Sequence, residues 1–529
     1  MRFIENAPWW LVSAGIHAVL ILGAALIYVE RLMAVETPII VCGLGPAPQP
    51  LIDPEPVRSL EPNKGIPQMN ESDVKVDPNE KVIWFPGAVE DVKNRSNDND
   101  PEHHGMKGQS EKFLSSQPGE AGGIRGTLPG KTAGMVSTLG TGRGNGSAGR
   151  FGDRFGSDKD TAVKKNGGDP NTENAVTAAL RWLARHQNAD GSWSASGFSH
   201  KCVNGKCSGG GDQDFDSGVT SLSLLAFLGA GYSQLSRDEF SDPAVPEQAL
   251  NFGDVVKRSL QWLCAHQDPE GCIGERGQKH LYNHAIGALA LSEAYGMTSS
   301  AILKEPAQNA INFLVAAQNP GKGWRYSSRG GDNDTSVTGW AVMALKSAEI
   351  SGLHFPKTAY DGAMNWLTEA TEQNGYYRVG YNQMGTGKVF VPGKNEQFAH
   401  HESMSAVSVM SRIFIQKKRE PALAAVNFLA SDLPAWKAGQ VDFYYWYYAS
   451  LALFQYDGPK GPFWAKWNEP MKNAIVPNQK TQKSGCENGS WDPSMDRWGF
   501  EGGRVYAAAI NCLTLEVYYR YAHVFGTSK

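Results

Sequence analysis

The sequence predicts an all-α fold, a ring of about six helical hairpins that follows a transmembrane helix and a long disordered linker. Three observations predict it. The last two-thirds of the chain repeats itself roughly every 50 residues. An uncharged apolar run opens the chain. Between the two lies a long stretch with no sustained apolar period, Gly- and Ser-rich in its second half.

Residues 1–8 form a short N-terminus, read as cytoplasmic. Residues 9–29 carry no Asp, Glu, Lys or Arg, and they are long enough to cross a hydrocarbon core of roughly 30 Å. Trp9 and Trp10 at one end and Tyr28 at the other suit the two interfaces. A cleaved signal peptide is the rival reading, with an apolar run that is long and a basic start that is weak for one. Residues 30–170 read as the linker. About 135 residues behaving as a coil span on the order of 60 Å, which makes a tether.

Residues 171–529 hold the repeats. The clearest copy is ALRWLARHQNADGSW at 179–193, followed by SLQWLCAHQDPEGC at 259–272 and AINFLVAAQNPGKGW at 310–324. Each reads as a helix with a central aromatic, then Gln, then a Gly turn. These one-striped helices, around Trp182, Trp262, Phe313, Trp366, Phe428 and 464–475, read as outer helices. Between them stand segments apolar nearly all round, at 218–232, 283–297, 336–350, 403–415, 441–456 and 504–521. Helices of that kind are buried on both sides and read as inner. Six stacked hairpins that close into a ring need no terminal capping repeats.

The net charge of −4 and pI near 6.3 give no electrostatic reason to expect nucleic acid as a partner. Seven cysteines are present. Cys202 and Cys207 flank Asn204-Gly205, a tight-hairpin signal that sets two sulfurs opposite each other. A disulfide there fits an extracytoplasmic body. The alternatives are free thiols, or a metal site with His200 that needs another ligand from far away.

QNADGSW at 187–193 is similar to the QW motif of squalene-hopene and oxidosqualene cyclases. The alternating hairpins resemble the α/α toroid shared by those cyclases and the β-subunits of protein prenyltransferases. The resemblance implies a central apolar cavity walled by the inner helices, able to hold an isoprenoid, a lipid or a polypeptide. In the QW motif itself, the Gln is expected to tie down a helix-end carbonyl while the Trp fills the gap between outer helices.

The family's chemistry does not carry over residue by residue. The cyclase acid motif DXDD corresponds to GDNDTSVTGW, which puts Asn333 on the acid position and Gly331 on the first Asp. A shifted register leaves Asp332 or Asp334 as candidate catalytic acids of a divergent cyclase. Of the prenyltransferase zinc ligands only Asp442 has a counterpart. Tyr444 stands for the Cys and Ala508 for the His. The thioester motif of other toroids is absent from the sequence. No cofactor is assigned.

Aligning the inner helices brings further residues to one level. Asp216, His280 and Asp334 fall just before three of them, with His400, His401, Glu402, Asp442 and Arg504 at the same height. Thr220, His284, Thr338 and Ser403 lie one turn deeper. In a closed ring they are expected to surround one mouth, together with Tyr445 and Trp446 from the run 444–448. Asp216 and Asp334 also suit helix N-caps. A metal ion held by the mouth histidines and carboxylates is an alternative to a polar ligand cleft.

Ser13 and His17 look like the Ser-x-x-x-His of TonB-type energy transducers. That resemblance implies an inner-membrane protein partner. The expected location is the inner membrane, single-pass, with the ring on the periplasmic or extracellular side. The expected function is binding of a hydrophobic or peptide ligand. An enzyme and an envelope scaffold are the alternatives.

Overall fold

The structure is a computed structural model. It describes residues 149–522 apart from Asn204, 243–248, Gln278, 374–377, 386–388 and 418–422. The expected membrane helix and most of the expected linker lie outside the described residues. Among the described residues no helix is long and apolar enough to cross a membrane.

Thirteen helices among the described residues carry the fold. A 3-10 turn, Gly149–Arg154, leads into α1 (Gly156–Asn166). Six hairpins follow, each an outer helix and then an inner one. They are α2 (Pro170–Arg185) with α3 (Asp216–Gly229), α4 (Phe252–Ala265) with α5 (His280–Thr298), and α6 (Ala301–Ala316) with α7 (Thr335–Ser351). Then come α8 (Thr358–Glu369) with α9 (Ser403–Gln416), α10 (Leu423–Leu429) with α11 (Phe443–Asp457), and α12 (Pro462–Ile475) with α13 (Gly499–Leu515). A two-residue antiparallel ladder, Glu239–Phe240 with Leu250–Asn251, bridges the loop before α4.

The inner helices pack in sequence, α3 to α5, α7, α9, α11 and α13, and α13 returns to α3. The ring is therefore closed. The expected inner and outer roles match this packing. α3 is buried from Gly218 to Gly229, and α11 from Phe443 to Tyr456. Local chemistry sets the starts. Asp169 accepts from the backbone of Asn171 and Thr172 in a capping box, and Pro170 follows it at the first helical position. Asp334 and Asp442 cap α7 and α11 through Val337 N–H and Tyr445 N–H.

One set of bonds repeats around the outside. The Gln187 amide donates to Gly191 O at 3.0 Å and to Val255 O in the next outer helix at 2.9 Å. Gln267 does the same to Gly271 O and Pro306 O, and Gln318 to Lys322 O and Ala359 O. Gln479 donates to Gly489 O and to Ala175 O at 2.8 Å, so the last copy reaches the first outer helix. The indole N–H groups of Trp193, Trp324 and Trp491 bond Leu183 O, Leu314 O and Ile475 O, at the ends of their own outer helices. The roles are thus divided differently from expectation. The Trp satisfies the helix-end carbonyl, and the Gln links neighbouring helices.

The described residues from Gly149 to Asn166, inside the stretch expected to be linker, already belong to the folded body. Phe151, Phe155, Ala162 and Val163 are buried. Gly-rich composition concealed four apolar anchors. Arg154, fully buried, donates to Glu293 at 2.8 Å and to Leu228 O and Arg520 O. Arg520 and Tyr521 also bond Glu293. Burial raises the Glu293 carboxyl, but Arg154 and Arg520 overcome this and leave it below its ordinary value. This network closes the ring at the C-terminal ends of the inner helices.

Gly489 has φ +94°, and a Cβ there would stand 2.1 Å from Ala178 O in α2. Gly352 has φ +76° with open space around it. Gly352→Ala is expected to cost about 1 kcal/mol from backbone strain alone. Gly489→Ala is expected to cost several-fold more, because it also pushes the last turn off the first outer helix. Urea unfolding of the two variants checks this.

Candidate functional site: the mouth of the ring

All six inner helices start at the same end of the ring, and their first turns frame a cavity of about 370 Å³. Val219, Leu222, Ile286 and Trp340 supply its apolar wall, and Tyr282, Tyr444 and Tyr506 add hydroxyl-bearing rings. Tyr444 O–H and Ser336 O–H pair at 2.6 Å, and the Trp340 indole N–H donates to the Tyr282 hydroxyl at 3.1 Å. Towards the closed end Trp340 stacks on Tyr447 and meets Tyr448 edge-on. These rings fill the axis between the cavity and the Arg154–Glu293–Arg520 network. At the rim Lys279 pairs with Glu501 at 3.3 Å, and Arg325 pairs with Asp332. Arg497 is tied to Ala399 O and Val389 O.

Of the expected mouth residues, His400, His401, Glu402 and Ser403 line this cavity. Glu402 bonds Arg378 at 3.2 Å and accepts from Ser405 O–H. Burial raises its carboxyl above the usual range. His401 sits between two acceptors, Asp432 on Nδ1 at 2.7 Å and Gln440 O on Nε2 at 3.0 Å. Burial opposes its charge, but Asp432 more than compensates, so its pKa is raised.

The others do structural work. Thr220 bonds both backbone groups of Trp193, and Thr338 accepts from Trp324 N–H. His284 is their equivalent, with Nδ1 accepting from Ile273 N–H and Nε2 donating to Ala310 O. In α9 the equivalent is Ser405, which accepts from Val379 N–H. Asp216 accepts from Ala195 N–H at 2.7 Å and begins α3 without being its N-cap. His280 is half-buried, with Nδ1 on Gly277 O. Asp332 is exposed, and Asn333 is buried against Asn319. Arg504 is buried, bonding Glu487 at 2.8 Å, Ser208 and Trp491 O.

Tyr445 and Trp446 point away from the cavity. Tyr445 bonds Leu429 O and Asp432 O, and Trp446 packs on Trp436 and Phe443. The inward ring is Tyr444, one residue earlier, because a shift of one position turns a helical side chain by about 100°. The expected metal site among the mouth histidines is not assembled, since His284 is spent on backbone and His280 does not line the cavity.

Asp334 is fully buried and caps α7. Burial raises its carboxyl to about 7, against the pull of Val337 N–H and of Arg325 at 3.9 Å.

The expected Cys202–Cys207 disulfide is not formed, and both thiols are free. Their sulfurs instead converge with Cys486 on His186, making a four-residue cluster able to hold a metal ion. His200, the ligand considered from sequence, is exposed and bonded to Gly197 O. Within the cluster the Cys207 thiol lowers Cys486 to about 3 and is itself driven up. A signal for Cys486 was present. ENGSW at 487–491 echoes ADGSW at 189–193, and closure sets the last turn beside the first.

No family model and no curated protein matches the chain. Several solved structures are similar at low identity. A protein from Actinoplanes is 15% identical, with a TM-score of 0.39, over 66% of this chain and 99% of its own. The type II terpene cyclase MstE from Scytonema is 14% identical, with a TM-score of 0.41, over 67% and 98%. An α-1,6-mannanase from Salegentibacter is 11% identical, with a TM-score of 0.44, over 65% and 98%. These likenesses do not say what this chain does. The all-α ring is established by its own helix packing.

Burial holds His284 neutral in the fold, lowering its pKa to about 4 from 6.5. Its stabilising contribution is therefore present above pH 6.5 and lost as pH falls towards 4, by roughly 3 kcal/mol in all. His284→Thr, which copies Thr220 and Thr338, is expected to flatten that part of the acid limb. Thermal melts between pH 4 and 7.5 measure it.

Proposed function

We propose that the protein is a binding module, a closed ring whose mouth receives a short segment of polypeptide and performs none of the chemistry of terpenoid cyclases or prenyltransferases. The observation that carries this reading is the cavity itself. At about 370 Å³ it lies low in the range of roughly 300–1,000 Å³ usual for ligand sites. Its depth along α5 runs from Lys279 to Ile286, about seven residues or roughly 10 Å of helix. A long prenyl chain directed along the axis meets Trp340, Tyr447 and Tyr448.

Polypeptide is favoured over hydrocarbon by the polar groups in the wall. The Tyr506 hydroxyl is buried without a hydrogen-bond partner, and Ser336, Tyr282 and Tyr444 bring further hydroxyls. A peptide carrying an aromatic or branched side chain satisfies both the apolar wall and these groups, which a bare hydrocarbon leaves unpaired. Rim pairs of both signs suit a backbone with both donors and acceptors.

Asp334 favours a second reading, a divergent cyclase. A carboxyl protonated near neutrality is the kind of group an acid catalyst needs. Against it, one oxygen is held by Val337 N–H, and Asp334 is not among the residues that line the cavity, although Tyr381 and Arg325 are.

The proposal includes location. An anchor at 9–29 holds the ring to the inner membrane on its periplasmic or extracellular side, and Ser13 and His17 offer a surface to a membrane partner. The support for this part is the sequence alone.

The test uses the full chain and a displayed random-peptide library, in parallel with squalene and polyprenyl diphosphates. Wild type is expected to enrich peptides sharing one apolar side chain. Val219→Trp, which fills the wall, is expected to lose that enrichment at least about 100-fold. Saturable prenyl binding without peptide enrichment overturns the polypeptide reading in favour of lipid. A cyclised product abolished by Asp334→Ala overturns the binding reading altogether.

A further inference from the structure

We propose that His186, Cys202, Cys207 and Cys486 bind one structural zinc ion that fastens the first hairpin of the ring to the last. The side chains come from distant parts of the chain. His186 ends α2, Cys202 and Cys207 lie in the loop between α2 and α3, and Cys486 lies in the turn between α12 and α13.

The geometry fits the ion. The Nε2 atom of His186 lies 3.6 Å from Cys202 Sγ, 3.7 Å from Cys207 Sγ and 3.5 Å from Cys486 Sγ. A tetrahedral zinc with about 2.3 Å to sulfur and about 2.0 Å to nitrogen sets nitrogen–sulfur edges of about 3.5 Å. All four ligand atoms lie within 4.8 Å of one another. Four protein ligands leave no open position, which marks a structural site.

The surroundings prepare the ligands. His186 stacks on Trp182 at 4.1 Å, and its Nδ1 lies 2.8 Å from Trp182 O. That carbonyl takes the ring proton on Nδ1, so Nε2 presents a lone pair to the three sulfurs. His266 in the next repeat shares the stacking and the carbonyl bond, on Trp262. It is exposed, and among the described residues no cysteine cluster surrounds it. The ring posture thus belongs to the repeat, and the sulfurs belong to the seam. Cys207 N–H points at Cys202 Sγ at 3.2 Å, as backbone donors do around metal-bound thiolates. Further bonds hold the same junction. Arg185 reaches Cys486 O and Asn488 O, and Ser208 reaches Glu487.

Zinc content, measured by plasma mass spectrometry on the full chain purified without added chelator, is expected to be one per chain. Cobalt exchanged into the site is expected to show the intense visible absorption of tetrahedral thiolate coordination. Cys486→Ser is expected to lose the metal, whereas Cys264→Ser, a thiol outside the cluster, keeps it. Because Cys486→Ser risks misfolding, wild type is also stripped with chelator. Its melting temperature is then expected to fall by about 10 °C or more and to recover when zinc is returned. A chain that carries no metal and takes up none from a zinc-replete buffer overturns the proposal. So does stoichiometric iron, or a Cys202–Cys207 disulfide found by mass spectrometry in the native protein.

Discussion

The meeting of α13 with α3 is the constraint on which the rest of the structure depends. Each hairpin has an apolar inner helix that must be covered on both flanks, and an open stack leaves its two end units bare. Closure covers both. It also carries the outer bonds from the last copy on to the first, since the Gln479 amide finds in Ala175 what Gln187 finds in Val255. The clip is small, a neutral amide shared between two carbonyls, each bond of which contributes on the order of 1 kcal/mol. Its worth lies in repetition, which fixes the angle between successive hairpins and so allows the circle to meet.

Closure creates a channel, and the chain fills most of it. One end is stopped by Arg154, Glu293 and Arg520, a group whose burial is tolerable because each carboxylate oxygen has a cationic or hydroxyl partner. The middle is stopped by Trp340 and the tyrosines of α11. The end at which the inner helices begin keeps a hollow. Helix N-termini leave backbone N–H groups wanting acceptors, and much of the polar chemistry gathered there serves that need. Thr220, His284, Thr338 and Ser405 hold the preceding turns in place, and Asp334 and Asp442 cap their helices. A ring of polar residues at one height is thus chiefly the signature of a repeat solving the same local problem several times.

That explains what was legible beforehand. Inner and outer roles followed from periodicity, because a helix covered on two sides tolerates no polar stripe. The level of Asp216, His280 and Asp334 was also readable, because it is a property of the repeat. Direction was not. Tyr444 and Tyr445 differ by one place in an all-aromatic run, and only neighbouring helices decide which faces the lumen. The folded state of residues 149–166 was hidden by glycine content that outweighed Phe151 and Phe155. Cys486 was hidden by distance along the chain, although the echo between its turn and that of Trp193 was in view.

Closure also sets a timetable for synthesis. The surface of α2 that receives Gln479, and the sulfurs that wait for Cys486, are made about 300 residues before their partners. At roughly 5–20 residues per second, the ribosome leaves that surface exposed for about 15–60 s. Pairings so far apart in sequence also carry the largest entropic cost of being brought together. The nascent first hairpin is therefore the part of this molecule most in need of protection while the remainder is being translated.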